Sequence, residues 1–275
     1  MRTLGEAMDA YLASSRFQLL ARRTQHDYER AIVRLRRAFG HLPPDAWRPS
    51  AGYAYLEAQP GNVQANRDLS VLSNVMRVCV RAGVVDRNLV KEVEKNREQA
   101  RTRYVTDTEL AAFLARCNPK LKAWVGLKML TGLRQGQMRA LRVSDWRGDE
   151  LCGPKAKGGR TLVFKGPGLA DAVAEVMRTH HGEAPRSAYL LCTRQGNQYT
   201  ADGFRAIWQR AMRKHTDHGW ERFTEHDLRA KVASDSESLH LAQARMGHQT
   251  PNTTSRVYRR GPQVVSVLAK PEDGE

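Results

Sequence analysis

Apolar residues recur every three or four positions through most of this chain, the spacing of one helix face. Leu4, Met8, Tyr11 and Leu12 open the first such face. Tyr28, Ile32, Leu35 and Phe39 form the second, closed by Gly40. Leu42-Pro43-Pro44 reads as a turn, followed by a short helix over 53–58 that Pro60-Gly61 breaks. A longer helix is expected over 63–82, with Leu69, Leu72, Met76 and Cys79 on one face and Gly83 past its end. Its other faces carry Arg67, Arg77 and Arg81. Such charges usually belong to a solvated face. In a basic helical unit they also suit contact with phosphates.

The pattern lapses over 91–104, KEVEKNREQARTRY, which is nearly all polar and reads as an interdomain linker. The chain thus divides into a helical domain over 1–92, a linker over 93–104 and a second domain over 105–275. Beyond the linker, Thr106 and Glu109 have capping-box spacing ahead of Leu110, Phe113 and Leu114. A helix over 121–130 runs into Thr131-Gly132-Leu133-Arg134, where Gly132 allows a tight turn and leaves Arg134 at the start of the next helix. An arginine beside a helix N-terminus is a ready anion site. Period-2 character is confined to 150–165, where Leu162, Val163 and Phe164 mark the clearest strand. This stretch reads as a hairpin whose tip carries Lys155, Lys157 and Arg160. Helices return over 169–177 and 204–212. The fold class is therefore mainly α with one small β-hairpin.

Charge changes the picture. The 275 residues carry 45 Lys and Arg against 29 Asp and Glu, a formal charge of +16. An excess of that size points to a polyanion, nucleic acid before any other. No apolar run reaches the roughly 20 residues that span a bilayer, so no membrane partner is expected. Cys79, Cys117, Cys152 and Cys192 are too scattered for a zinc site or a disulfide framework. No metal or other cofactor is expected, and a reducing cytoplasm fits.

Candidate chemistry gathers in the last third. His226 and Arg229 stand three apart on one helical face, behind a Thr224/Asp227 capping box. Gly247-His248 closes another apolar run, and Tyr258 follows between Val257 and two arginines. A His-x-x-Arg pair or a lone Tyr arises by chance in many basic proteins. The order of these features, with Arg134 upstream, is what carries weight.

That order resembles the tyrosine recombinases, the phage integrase family. TGLRQGQMRALRVSDW is similar to the family's first arginine box, PKAKGGRTLVF to its lysine-bearing strand pair, HDLR to its His-x-x-Arg pair, MGH to its second histidine box and VYRR to its nucleophile box. The resemblance covers about residues 105–260. It implies an α+β catalytic domain in a two-domain clamp around duplex DNA, with basic inner surfaces on the DNA; Arg101 and Arg103, at the basic end of the linker, are read from their charge as further DNA contacts. It implies transesterification through a 3′-phosphotyrosine: Tyr258 the nucleophile, Arg134 and Arg229 on the nonbridging oxygens, His226 moving the phenol proton, His248 bonding the phosphate and a lysine protonating the leaving 5′-oxygen. Lys157 fits the lysine position better, and Lys155 remains an alternative. It further implies a homotetramer when two DNA sites are paired, with the apolar stretch 263–269 docking on a neighbour, and accessory DNA-bending or excision-directing proteins. Such an enzyme belongs with the nucleoid. The implied role is integrase of a phage or mobile element. A chromosome-dimer resolvase, a type IB topoisomerase or a non-catalytic DNA binder on this fold are the alternatives, and the full set of boxes speaks against the last.

Three departures from the family pattern stand out. Gln137 occupies a position usually filled by Glu or Asp, where an amide can hydrogen-bond but cannot neutralise charge. The interval from Arg229 to His248 is a few residues short, which predicts a trimmed helix or loop. The interval from His248 to Tyr258 is about one residue long. Many members also carry a further N-terminal domain for arm-type DNA sites. This sequence opens directly on the helical core-binding part, so that domain is either absent or lies outside this sequence.

Overall fold

The computed structural model describes residues 1–59, 62–155, 161–248, 250–258 and 260; of Asn62 and Arg256 only the backbone is described. The chain divides into two units, Met1–Gln99 and Ala100–Glu275. Both are helical, and among the described residues the sheet is a single two-stranded antiparallel ladder.

In the first unit the helices are α1 (Leu4–Ala13), α2 (Ser15–Gln18), α3 (Arg22–Phe39), α4 (Pro49–Ala58) and α5 (Asn62–Arg81). Leu4, Met8, Tyr11, Ile32, Leu35, Phe39, Leu69, Leu72 and Met76 converge in one core, as their spacing requires. The short α2 has no periodicity to announce it. Ser14 caps it, and it buries Phe17 edge-on against Tyr11 at 5.7 Å. Asp68, fully buried, takes two 2.7 Å bonds from Arg34 and one of 2.8 Å from the Tyr55 hydroxyl. This pins α3 and α4 to α5.

The polar stretch after α5 is fastened in two halves. Asn66 exchanges hydrogen bonds with the backbone of Asn96 at 2.7 and 3.0 Å, and Lys95 Nζ donates to Ser70 Oγ at 2.8 Å. Arg101 and Arg103 instead pair with carboxylates of the second unit.

The second unit runs α6 (Asp107–Ala115), α7 (Pro119–Thr131), α8 (Gln135–Ala140), β1 (Glu150–Cys152), β2 (Val163–Lys165), α9 (Leu169–His180), α10 (Ala201–Thr216), α11 (Glu225–Ser234) and α12 (Leu239–Met246), then a last turn over Pro251–Thr253 and Thr254–Tyr258. Thr106/Glu109 and Thr224/Asp227 are both true capping boxes. The ladder pairs Glu150 with Lys165, Leu151 with Phe164 and Cys152 with Val163. The expected tip residues Lys157 and Arg160, and the stretch 263–269, lie outside the described residues. Aromatic packing dominates the core: Trp124 stacks on Phe204 at 4.0 Å, and Phe113 meets Trp208 and Phe223 at 4.9 and 5.1 Å. Among the described residues no helix is long and apolar enough to cross a membrane.

Candidate active site

α11 lies at the centre of the site, and eight of its ten residues are buried. The apolar positions of this helix, Leu228, Ala230, Val232 and Ala233, face packed surroundings. Its polar residues are held in place by partners rather than by water. Lys231, 1 % exposed, pairs with Asp107 at 2.7 Å and Asp235 at 2.9 Å.

Arg229 is the keystone. It is 1 % exposed, yet it carries a charge. Its Nη1 donates to the carbonyl of Gly132, in the turn after α7, and its Nη2 to the carbonyl of Met246 at the end of α12, at 2.6 Å. Nη2 also lies 3.3 Å from His248 Nε2. One guanidinium thereby ties three chain segments together. Its Nε has no hydrogen-bond partner among the described residues. Burial, reinforced by the nearby charge of Arg134, pulls the Arg229 pKa down to about 10, which leaves it cationic at neutral pH.

The Gly132 turn is built for this approach. Gly132 ends α7 with φ +62°, a left-handed conformation that L side chains rarely adopt. A Cβ there would sit 2.4 Å from Met246 Cε and 3.2 Å from Val232 Cγ1. Arg134 follows as the N-cap of α8. Its side chain is half-buried and forms no ion pair among the described residues. Gln137, the departure from the family pattern, uses both ends of its amide. Its Oε1 accepts from the Arg134 N–H at 3.1 Å and its Nε2 donates to Pro154 O at 3.3 Å. A carboxylate could make only the first bond.

Tyr258 is 6 % exposed and closes a small cluster with Ala230, Val232, Ala233, Ala242 and Met246. The Arg229 guanidinium lies over its ring at 5.3 Å, within cation–π range. The ring centroids of His248 and His226 are 4.8 and 5.3 Å away. Thr254–Tyr258 is a π-helical turn. A π turn closes over one residue more than an α turn, and so absorbs the extra residue between His248 and Tyr258. The short interval from Arg229 to His248 has an equally plain basis: residues 235–238 alone connect α11 to the eight-residue α12.

Gly247, at φ +60°, turns the chain so that His248 points back toward Arg229. His248 Nδ1 lies 2.8 Å from Thr254 Oγ1. With Nε2 facing an arginine N–H, the consistent tautomer is neutral with Nδ1 donating to Thr254. Burial, then Arg229, Arg134 and His226, pull its pKa down to about 4. His226 is open to solvent at its outer edge. Partial burial and the charges of Lys128, Arg229 and Arg260 pull it to about 4 as well.

One buried pair here carries no signal in the sequence. Lys128, fully buried on α7, pairs with Glu225 at 2.5 Å and donates to Leu133 O at 2.7 Å. Burial lowers its pKa against the pull of Glu225. Their separation of 97 positions leaves no periodic trace, and Lys128 on its own looks like a surface lysine.

The residues read as DNA contacts divide. Arg67 and Arg81 are exposed without ion pairs among the described residues, and Arg77 is half-buried against Asn74 Oδ1 at 3.2 Å. Lys155 is exposed. Arg101 is paired with Asp227 at 2.8 Å, and Arg103 with Glu221 at 3.0 Å and with Glu109. Lys157 and Arg160 are outside the described residues. Arg134, His226, Arg229, His248 and Tyr258 therefore share one site, in which cations outnumber carboxylates and a phenol is inserted.

The sequence matches the family model "Phage integrase family" over residues 103–262, more than half of the chain. No curated protein matches it by sequence. Among solved structures, a lambda integrase(75-356) dimer bound to a COC' core site superposes with a TM-score of 0.81 at 19% identity, covering 98% of this chain and 100% of that one. A lambda integrase tetramer bound to a Holliday junction gives 0.77 at 17%, over 90% of this chain and 78% of that one. The Tn1549 transposon integrase (aa 82-397) in complex with circular intermediate DNA gives 0.74 at 15%, over 92% and 94%. At these identities the superpositions speak for the fold, and the family match speaks for descent. The chain belongs to the phage integrase family, the tyrosine-type site-specific recombinases.

Proposed function

We propose that this recombinase cuts and rejoins duplex DNA through a 3′-phosphotyrosine at Tyr258, as the integrase of a phage or mobile element. The observation that carries the reading is the seating of Tyr258: a phenol, 6 % exposed, lies against the Arg229 guanidinium with the His248 and His226 rings 4.8 and 5.3 Å away.

The Tyr258 oxygen attacks the scissile phosphorus while its proton passes toward His226. The bond from phosphorus to the 5′-oxygen breaks, and that oxygen takes a proton from an acid, assigned to Lys157 with Lys155 as the alternative. Charge grows on the nonbridging oxygens during this exchange. Arg134, without an ion pair, and Arg229, with its Nε unpartnered, supply fixed positive charge where it is needed. Guanidinium suits this role because its planar fork matches two phosphate oxygens at once. His248 adds a hydrogen bond to a phosphate oxygen once its ring gives up the Arg229 contact and takes a proton on Nε2, with Nδ1 still donating to Thr254. The reverse attack by a 5′-hydroxyl from a second duplex completes the exchange and returns the phenol. This balance needs no nucleotide triphosphate. By analogy with the lambda integrase tetramer on a Holliday junction, four copies pair two DNA sites.

The test is to incubate the protein with fragments spanning its own genomic neighbourhood and to sequence the covalently trapped ends. Ends that coincide with the borders of a mobile element support the integrase reading. A single trapped site at a chromosomal locus would make it a resolvase, and no trapped DNA would contradict both.

A further inference from the structure

Asp227 sits in the middle of the His226–Arg229 pair but faces away from it. Positions 227 and 234 are seven apart on α11, two turns, and so share a face. That face grips the chain on both sides of Tyr258. Ser234 Oγ donates to the Tyr258 carbonyl at 3.0 Å and accepts from the Arg260 N–H at 2.7 Å. The Arg260 guanidinium donates to Val257 O at 2.8 Å, to Arg103 O at 3.3 Å and to Asp227 Oδ1 at 2.7 Å. The pair is dry: the Asp227 side chain is 0% exposed and that of Arg260 6%. The other Asp227 oxygen takes Arg101 at 2.8 Å and the Thr224 backbone and hydroxyl, both at 2.8 Å.

We propose that Asp227, Ser234 and Arg260 form a clamp that fixes the nucleophile segment, so that α11 activates the phosphate with one face and aims the phenol with another. The proposal rests on the reading of Tyr258 as the nucleophile. Arg260 is then a positioning residue. It is too deeply paired to be a phosphate ligand, although it lies two residues from the nucleophile in a chain rich in DNA-binding arginines. Burial tends to raise the Asp227 pKa, but its Thr224 hydrogen bonds, Arg101 and Arg260 hold it below the ordinary value, so the clamp is charged at working pH. Holding a reacting group in attack geometry governs rate rather than affinity, and a shift of about 1 Å costs roughly a hundredfold.

The experiment compares two reactions of the full chain on a nicked suicide substrate. In the first, Tyr258 attacks and a covalent adduct is counted. Arg260→Ala should slow adduct formation about tenfold or more with DNA affinity nearly unchanged, Arg260→Lys should recover much of the rate by restoring the pair, and Ser234→Ala should slow it in the same direction. In the second, the background is Tyr258→Phe and hydrogen peroxide replaces the phenol, forming the new bond to phosphorus as the 5′-oxygen leaves. This reaction needs an activated phosphate but no aimed tyrosine. Arg260→Ala should leave it unaltered and Arg134→Ala should abolish it. If Arg260→Ala slows both reactions alike, or weakens DNA binding in proportion, Arg260 acts on the phosphate and the clamp is refuted. Full-rate adduct formation by both Arg260→Ala and Ser234→Ala also refutes it. Should Arg260→Ala fail to fold, Ser234→Ala decides between these outcomes. An adduct formed by Tyr258→Phe itself overturns the nucleophile assignment instead, which is a separate failure.

Discussion

His226 and His248 are both neutral at pH 7, because burial and surrounding cations hold their pKa values at about 4 against an ordinary 6.5. In the free protein this has a definite sign. Above pH 6.5 neither folded nor unfolded chain is protonated at these rings. Between 6.5 and about 4 the unfolded chain binds protons that the folded one refuses, so stability falls as pH drops through that window. A phosphodiester in the site places negative charge among the same cations and should raise both values. DNA binding at about pH 5.5 should then take up protons, and at pH 8 it should take up none. Calorimetry in two buffers of different ionisation heat measures this, and a His226→Gln, His248→Gln variant should lose the uptake. Absence of uptake in the parent would place the phosphate away from these rings. The leaving-group acid is tested separately. Replacing the bridging 5′-oxygen with sulfur gives a leaving group that needs little protonation, so it should rescue Lys157→Ala but not Arg134→Ala. Rescue of Lys155→Ala in its place would move the acid to Lys155.

At the scale of elements, the turn between α7 and α8 determines where both arginines stand. Gly132→Ala places a Cβ on a φ of +62° and against Met246, and it displaces the carbonyl that receives Arg229. The left-handed conformation alone should cost about 1–2 kcal/mol of stability. Thermal unfolding should show that loss, and strand cleavage should fall further than DNA binding; an unchanged cleavage rate would mean that Arg229 does not depend on this turn. Much of this scale was legible in the sequence. Leu69, Leu72 and Met76 repeat with the helix period, Thr106/Glu109 and Thr224/Asp227 announce helix starts, and Gly132 and Gly247 mark turns that only glycine takes easily. The rest was not, because it joins residues with no periodic relation. Lys128 and Glu225 read as separate surface charges, although the fold buries them together. The extra residue before Tyr258 was visible as a count, but only the backbone shows that a π turn accommodates it. Ser234 and Arg260 meet across a turn whose path depends on that same detail.

At the scale of the molecule, a charge of +16 makes electrostatics the main source of affinity for DNA. The cations are not equivalent. Arg101 and Arg103 are engaged with carboxylates, whereas Arg67 and Arg81 on α5 are exposed. Affinity should fall steeply with salt. Arg67→Ala should weaken binding to all sequences alike and reduce the slope of log K against log salt by about one, while Arg103→Ala should leave the slope unchanged and lower stability. Equal slopes for the two variants would show that burial does not sort the phosphate contacts. The covalent bond between Tyr258 and DNA is the step on which the chemistry depends. The direct measurement is to trap the protein on a nicked duplex, digest it and identify by mass spectrometry the residue that carries the DNA. The expected result is a 3′-phosphate ester on Tyr258 and no adduct with Tyr258→Phe, which should still bind the duplex. DNA attached to any other side chain, or an undiminished adduct with the Phe variant, would contradict it.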